Sequence, residues 1–256
     1  ENEVRVIAHN AEQPNSRWYT GAGPYRPAYL YVMPKEHILP YGVRIKTTDH
    51  EKRAFSLSVA TNAAGEVSAE IKDGGKVLWS GKAETDGSSP ALLSGEVPGA
   101  ELWSADSPSL YTLEVKFGDD SRELSFGFRT IEWSAKTGIL INGKRELLRG
   151  ACIHHDNGPI GAIAHPFAEE RKVKLLKEAG YNALRMAHNP CSKAILDACD
   201  KLGMYVLDEY VDMWYIHKDK YDYATYHGDW WERDLKDIVD KDYSHPSVIM
   251  YSTGNE

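Results

Sequence analysis

A change of rhythm near residue 131 constrains the fold of this chain more than any other feature. Before it, short runs alternate apolar with polar residues and are rich in β-branched and aromatic side chains: EVRVIAH, AYLYVM, YGVRIKTTD, AFSLSVATNA, EVSAEIK, KVLWSGKAE, LYTLEVKF and ELSFGFRTIEW. Turn signals separate them. Asp73-Gly74-Gly75 is placed for a hairpin, and the stretches at 86–90 and 106–108 for loops. About seven short strands in about 100 residues is the pattern of an immunoglobulin-like β-sandwich.

After the change, short apolar strands alternate with amphipathic helices. LLRGACI leads to FAEERKVKLLKEAG, where Val173, Leu176 and Ala179 keep helical spacing and Gly180 supplies the stop. NALRM leads to a helix that Ser192 caps, with Ile195, Cys199 and Leu202 on its apolar stripe and Gly203 at its end. MYVLD leads through a long loop to DWWERDLKDIVDKD, with Trp231, Leu235, Ile238 and Val239 on one face, and SVIMYST forms the fourth strand. The alternation predicts a parallel sheet covered by helices. An open doubly wound sheet and a closed barrel both satisfy it.

Composition removes several functions. The net charge of -8 leaves no excess of cations for the phosphate attraction that underlies nucleic-acid binding, so DNA and RNA are excluded as partners. No run approaches the roughly 18 apolar residues of a membrane span, so no membrane partner is expected and the protein reads as soluble. Cys152, Cys191 and Cys199 are too few and too odd in number for a disulfide framework and read as reduced thiols. They do not decide between cytoplasm and periplasm. At 256 residues one to two domains are expected, and a chain that opens on Glu1 without an initiator Met reads as cut from something longer.

In either parallel fold the ligand site lies at the carboxyl ends of the strands. Strand one ends in His154-His155-Asp156, strand two in His188-Asn189-Pro190, strand three in Asp208-Glu209 and strand four in Asn255-Glu256. Any one of these is an ordinary loop or capping residue; four in succession indicate a shared polar site. Zinc spacing, a Gly-rich phosphate cradle and a GxSxG elbow are all missing from the turns, so no metal and no cofactor are implied. Arg185 lies in a strand and, if buried, needs a carboxylate partner, either a carboxylate of the site or a structural partner in Asp208 or Glu209. The loop after strand three carries Trp214, Tyr215, Tyr221, Tyr223 and Tyr226. Such rings stack on the apolar face of a pyranose or pack the loop onto the rim.

The segment HPSVIMYSTGNE, His245 to Glu256, resembles the acid/base signature of glycoside hydrolase family 2, the family of β-galactosidases and β-glucuronidases. GACIHHDNGPIGA, NALRMAHNP, LDACDKLGMYVLDE, and GFRTIEW followed by INGKRELLRG resemble further family landmarks in the same order, and NSRWYTGAGPYRPAYL resembles the end of the family's amino-terminal domain. The resemblance implies the end of a jelly-roll sugar-binding domain at 1–32, an immunoglobulin-like β-sandwich at 33–130, and the first half of a (β/α)8 TIM barrel at 131–256. It makes Glu256 the general acid/base, with Asn255, His154, His188, Arg185, Asp208 and Trp214 lining the sugar site. Met213 and Tyr215 stand where metal-binding galactosidases of the family place a Glu and a His, which argues against magnesium dependence. The implied function is retaining exo-hydrolysis of terminal β-D-galactosides, with a β-linked oligosaccharide or glycoside as partner and homo-oligomerisation of the parent left open. β-Glucuronidase activity and a non-catalytic carbohydrate-binding fragment are the alternatives. The nucleophile is expected beyond Glu256.

Overall fold

The computed structural model describes residues 3–12, 14 and 23–256. Seven strands build the first body: β1 Ile38–Asp49, β2 Ala54–Thr61, β3 Ala64–Asp73, β4 Lys76–Asp86, β5 Ala91–Glu96, β6 Tyr111–Phe117 and β7 Asp120–Phe126. They form two antiparallel sheets, β1-β2-β5 and β4-β3-β6-β7. Alternation decides which side chains lie between the sheets. Phe55, Leu57 and Val59 of β2 and Val67 and Ile71 of β3 face inward and meet Leu113 and Val115 of β6, while their neighbours along each strand stay in contact with water. The β3–β4 turn uses Gly74 and Gly75 at φ 53° and 92°, the left-handed pair that a two-residue hairpin requires.

Two of the expected strands do not form. EVRVIAH and AYLYVM carry no strand, and Val4, Val6, Leu30 and Val32 are 67–91% exposed. Alternation yields a strand only where an edge is available to pair with, and no described residue supplies one here. Of NSRWYTGAGPYRPAYL, residues 15–22 lie outside the described residues. ELSFGFRTIEW also divides into two strands rather than one. Gly127 passes so close to the Trp103 side chain that an added Cβ would lie 2.6 Å from it, and strand pairing stops there although Phe128 still packs into the sandwich core.

The chain then forms a small antiparallel sheet, β8 Ile131–Ser134, β9 Gly138–Ile141 and β10 Lys144–Arg145. Its apolar residues, with Trp103 of the sandwich, cover Ala183, Tyr205 and Ile249 at the amino ends of the strands that follow. Those strands are β11 Gly150–Ile153, β12 Ala183–Met186, β13 Tyr205–Glu209 and β14 Val248–Ser252, alternating with α1 Pro166–Glu178, α2 Lys193–Leu202 and α3 Ala224–Asp242. All pair in parallel, and their order across the sheet is their order in the chain. A doubly wound sheet reverses order at a switch point. This singly wound succession is instead the opening of a (β/α)8 barrel.

Local chemistry fixes the helices. Ser192 Oγ accepts from Ile195 N at 3.2 Å at the start of α2, and Gly203 ends it in the left-handed region. Gly203 also presses on the sandwich, since an added Cβ would lie 2.2 Å from the Ala105 carbonyl oxygen. On α3, Ile238 is buried and Leu235 partly so, but Trp231 is 43% exposed, because no described element covers it. The two bodies meet through Arg129, whose guanidinium donates to the Pro246 and Val248 carbonyls at 2.9 and 2.6 Å, and through Trp103 Nε1, which donates to the Asp200 carbonyl.

Candidate active site

The period of two in a strand decides which side chains enter the barrel lumen. Ile153, Leu184, Met186 and Val206 pack into the layer between sheet and helices. Their neighbours Cys152, His154, Arg185 and Glu209 therefore face the other way, toward the carboxyl-end mouth.

Glu209 is the hub. It is fully buried, and Arg185 grips it in a two-pronged contact, Nε to Oε2 at 2.8 Å and Nη2 to Oε1 at 2.9 Å. His188 Nδ1 reaches the same Oε1 at 2.6 Å. The partner of Arg185 is thus Glu209, one of the options open from sequence. The same Nη2 donates to Asn255 Oδ1 at 2.9 Å, and Asn255 Nδ2 donates to Asp212 Oδ1 at 3.0 Å. Asn255 is held on both sides, its oxygen by Arg185 and its amide nitrogen by Asp212. His154 Nδ1 lies 2.9 Å from the Ala187 carbonyl, and its ring meets that of His188 edge-on at 5.6 Å.

Glu256 leaves β14 beside this cluster. Asn255 N donates to the Val211 carbonyl and Glu256 N to the Asp212 carbonyl, both at 3.0 Å, so the two residues continue the pairing with the chain beyond β13. The Glu256 side chain is 65% exposed at the mouth, with its Oε2 2.7 Å from Lys218 Nζ. Trp214 closes over the preceding turn. Its Nε1 donates to the Thr253 carbonyl at 2.8 Å, and its indole lies where a Cβ on Gly254 would sit 2.5 Å away. Of the other rings in the loop, Tyr210 and Tyr223 pack against Ile238 and Leu235, and Tyr215 is 67% exposed.

Asp208 does not join this site. It lies on the face of Val206, turned toward the helices, fully buried, with Oδ1 accepting from Cys191 N at 3.1 Å. Its neighbour Glu209 takes the inward position, as strand alternation requires. Behind Asp208, burial pushes the Asp242 carboxyl up to about 7, an effect that Lys241 opposes and the Asp208 charge reinforces. A carboxyl whose folded value lies above its unfolded 3.8 binds extra protons in the fold, so stability is lost as pH rises through about 7. His245 acts in the same sense. Burial pulls it down, but Asp200 overrides this and holds it above 6.5. Denaturant titrations at pH 5 and 8 should give the higher midpoint at pH 5, and Asp242→Asn should shrink the difference. An equal pH response in wild type and variant would show that Asp242 does not contribute to it.

Comparisons with known proteins identify the family of the chain. The model for "Glycosyl hydrolases family 2" matches residues 37–129, and that for "Glycosyl hydrolases family 2, TIM barrel domain" matches residues 134–256. The chain belongs to glycoside hydrolase family 2. Family members similar to it include the β-galactosidase BoGH2A of Bacteroides ovatus, 37% identical over all of this chain and 32% of the relative. A solved family 2 member from Bacteroides cellulosilyticus superposes with a TM-score of 0.85 at 39% identity, covering 94% of this chain and 34% of that one. A β-glucuronidase from an uncultured Clostridium gives 0.73 at 30% identity, covering 92% and 40%. The chain thus spans about a third of the length of the family 2 proteins that it matches.

Sequence reading named Arg185, His188, His154, Asn255, Glu256 and Trp214, and the structure brings all six to one mouth. It placed Glu209 among the strand-end residues and as a possible partner of Arg185 without giving it the central position, and it did not name Asp212 or Lys218. The position of Glu209 was within reach of strand parity, while the other two depend on a loop path that no periodicity encodes.

Proposed function

We propose that the protein to which this chain belongs is a retaining exo-glycosidase that removes terminal β-D-galactosyl groups in carbohydrate catabolism. The observation that carries the reading is the pair Asn255-Glu256 at the mouth of the fourth barrel strand, with Asn255 clamped between Arg185 and Asp212. In a retaining mechanism two carboxyl groups about 5 to 5.5 Å apart share the work. One attacks the anomeric carbon. The other protonates the leaving oxygen and then takes a proton from the incoming water. Glu256 is read as the second, and a carboxylate from the later half of the barrel as the first. Asn255, His154 and His188 are read as contacts to sugar hydroxyls, and the exposed part of Trp214 as an apolar wall. The domains follow the same reading: 1–32 as the end of a jelly-roll domain, 33–130 as the sandwich, 131–256 as the half barrel.

Similarity to the B. ovatus β-galactosidase supports galactosides, and similarity to the Clostridium β-glucuronidase supports the alternative of β-glucuronides. Assay of the intact enzyme on nitrophenyl β-galactoside and nitrophenyl β-glucuronide separates the two. Under the galactosidase reading kcat/KM is at least about 100-fold higher for the galactoside, since a site built for a hydroxyl leaves buried polar groups unpaired when it receives the wrong group. The reverse order establishes the alternative. The 256-residue chain by itself is expected to leave both substrates intact.

A further inference from the structure

The connection between β13 and α3 is organised by two buried carboxylates with a lysine between them. Asp222, 1% exposed, accepts from the backbone N–H groups of Lys218 at 2.7 Å, Asp219 at 3.0 Å and Ala224 at 3.0 Å. Burial alone would push the Asp222 carboxyl up, but these amides and His217 outweigh it and hold the group below its ordinary value. The backbone at Lys218 is thereby tied to the first turn of α3. Its side chain runs the other way, and the ammonium lies 2.5 Å from Asp212 Oδ1 and 2.7 Å from Glu256 Oε2. Asp212, 5% exposed, also accepts Asn255 Nδ2 on that same oxygen and gives its carbonyl to Glu256 N. One loop therefore fixes both the backbone and the carboxylate of Glu256.

We propose that Lys218 is a positioning residue for glycoside hydrolysis: its ammonium, seated on Asp212, orients the Glu256 carboxylate and favours its ionised form. The inference rests on the reading of Glu256 as acid/base. The two steps make opposite demands, because Glu256 must be protonated to release the leaving group and ionised to activate water. A cation in contact with Oε2 stabilises the second form. Among the charged groups that face Glu256 are Lys218 and Asp212 from this loop, and Arg185 of β12 and Glu209 of β13 reach it through Asn255. Asp212 tempers the ammonium, so the two variants should act in opposite directions.

In the intact enzyme, Lys218→Met should move the alkaline limb of the kcat/KM profile to higher pH by about half a unit, the size expected for a pair exposed on one side. Activated aryl glycosides, limited by the water-activating step, should lose kcat at low pH. Asp212→Asn should move the limb to lower pH, and Lys218→Arg should restore the wild-type limb. A uniform loss of rate at all pH values in Lys218→Met, with the limb unmoved, overturns the proposal, because a merely structural lysine would act that way. Should Lys218→Met fail to fold, Asp212→Asn decides by the sign of its shift. A wild-type enzyme without turnover of any β-glycoside removes the reading of Glu256 and this proposal together; an active wild type with unmoved limbs removes the proposal alone.

Discussion

Glu256→Ala in the intact enzyme is expected to slow release of a poor leaving group by about 10² to 10⁴-fold and that of an activated aryl group far less. The reason is the proton. An alkoxide of high basicity departs only when protonated, which is the contribution that general acids make, whereas a nitrophenolate departs unaided. With activated substrates the glycosyl-enzyme then accumulates, since its hydrolysis needs the same residue as base. Azide should rescue this step, because a small anion attacks without losing a proton. Glu256→Gln keeps the shape but has no proton to give, so it should resemble the Ala variant toward poor leaving groups. If Glu256 only hydrogen-bonds sugar, the loss is similar for all leaving groups and azide changes nothing. Rates of the Ala variant against a series of aryl galactosides decide between these outcomes, and a loss independent of leaving-group pKa removes Glu256 from the acid role.

The parts of this fold that were legible in the sequence are those in which one period persists. The β2 run AFSLSVAT alternates faithfully because one face meets the opposite sheet and the other meets water. Ser192 and Gly203 marked the ends of α2 because capping chemistry is local. Val4 and Leu30 show where legibility fails: alternation is necessary for a strand but does not supply its neighbour. Within the site, chemistry was legible at strand ends, and Asn255 and Glu256 fall at the mouth because β14 stops there. Asp208 was misassigned by reading the strand end as a unit. Val206 in the core already implied that Asp208 faces the helices and Glu209 the lumen. Asp212, Lys218 and Asp222 stand in an irregular loop, where hydrogen bonds to backbone rather than any repeat set the path.

Glu209→Ala is expected to be the most damaging single change to the architecture of the site. The carboxylate is fully buried and answers both the two-pronged guanidinium of Arg185 and His188 Nδ1. Removing one partner of a buried ionic group leaves the other uncompensated, which costs about 3 to 5 kcal/mol. The Arg185 side chain is 31% exposed, so water relieves part of this and the lower end, about 3 kcal/mol, is the expected loss in denaturant unfolding. Function should fall further than stability. Arg185 Nη2 is shared between Glu209 and Asn255, and without the anchor the guanidinium no longer presents a fixed donor to Asn255 Oδ1. Glu209→Gln can still accept from Arg185 but carries no charge, so it should keep more stability than the Ala variant while weakening the contacts to Arg185 and His188. Arg185→Ala is the complementary test, since it strands the buried carboxylate instead of the cation. The double variant Arg185→Ala/Glu209→Ala should cost less than the sum of the two, because neither partner then remains buried without the other. Strict additivity would mean that the two side chains do not act as one unit, and the clamp on Asn255 would need another source.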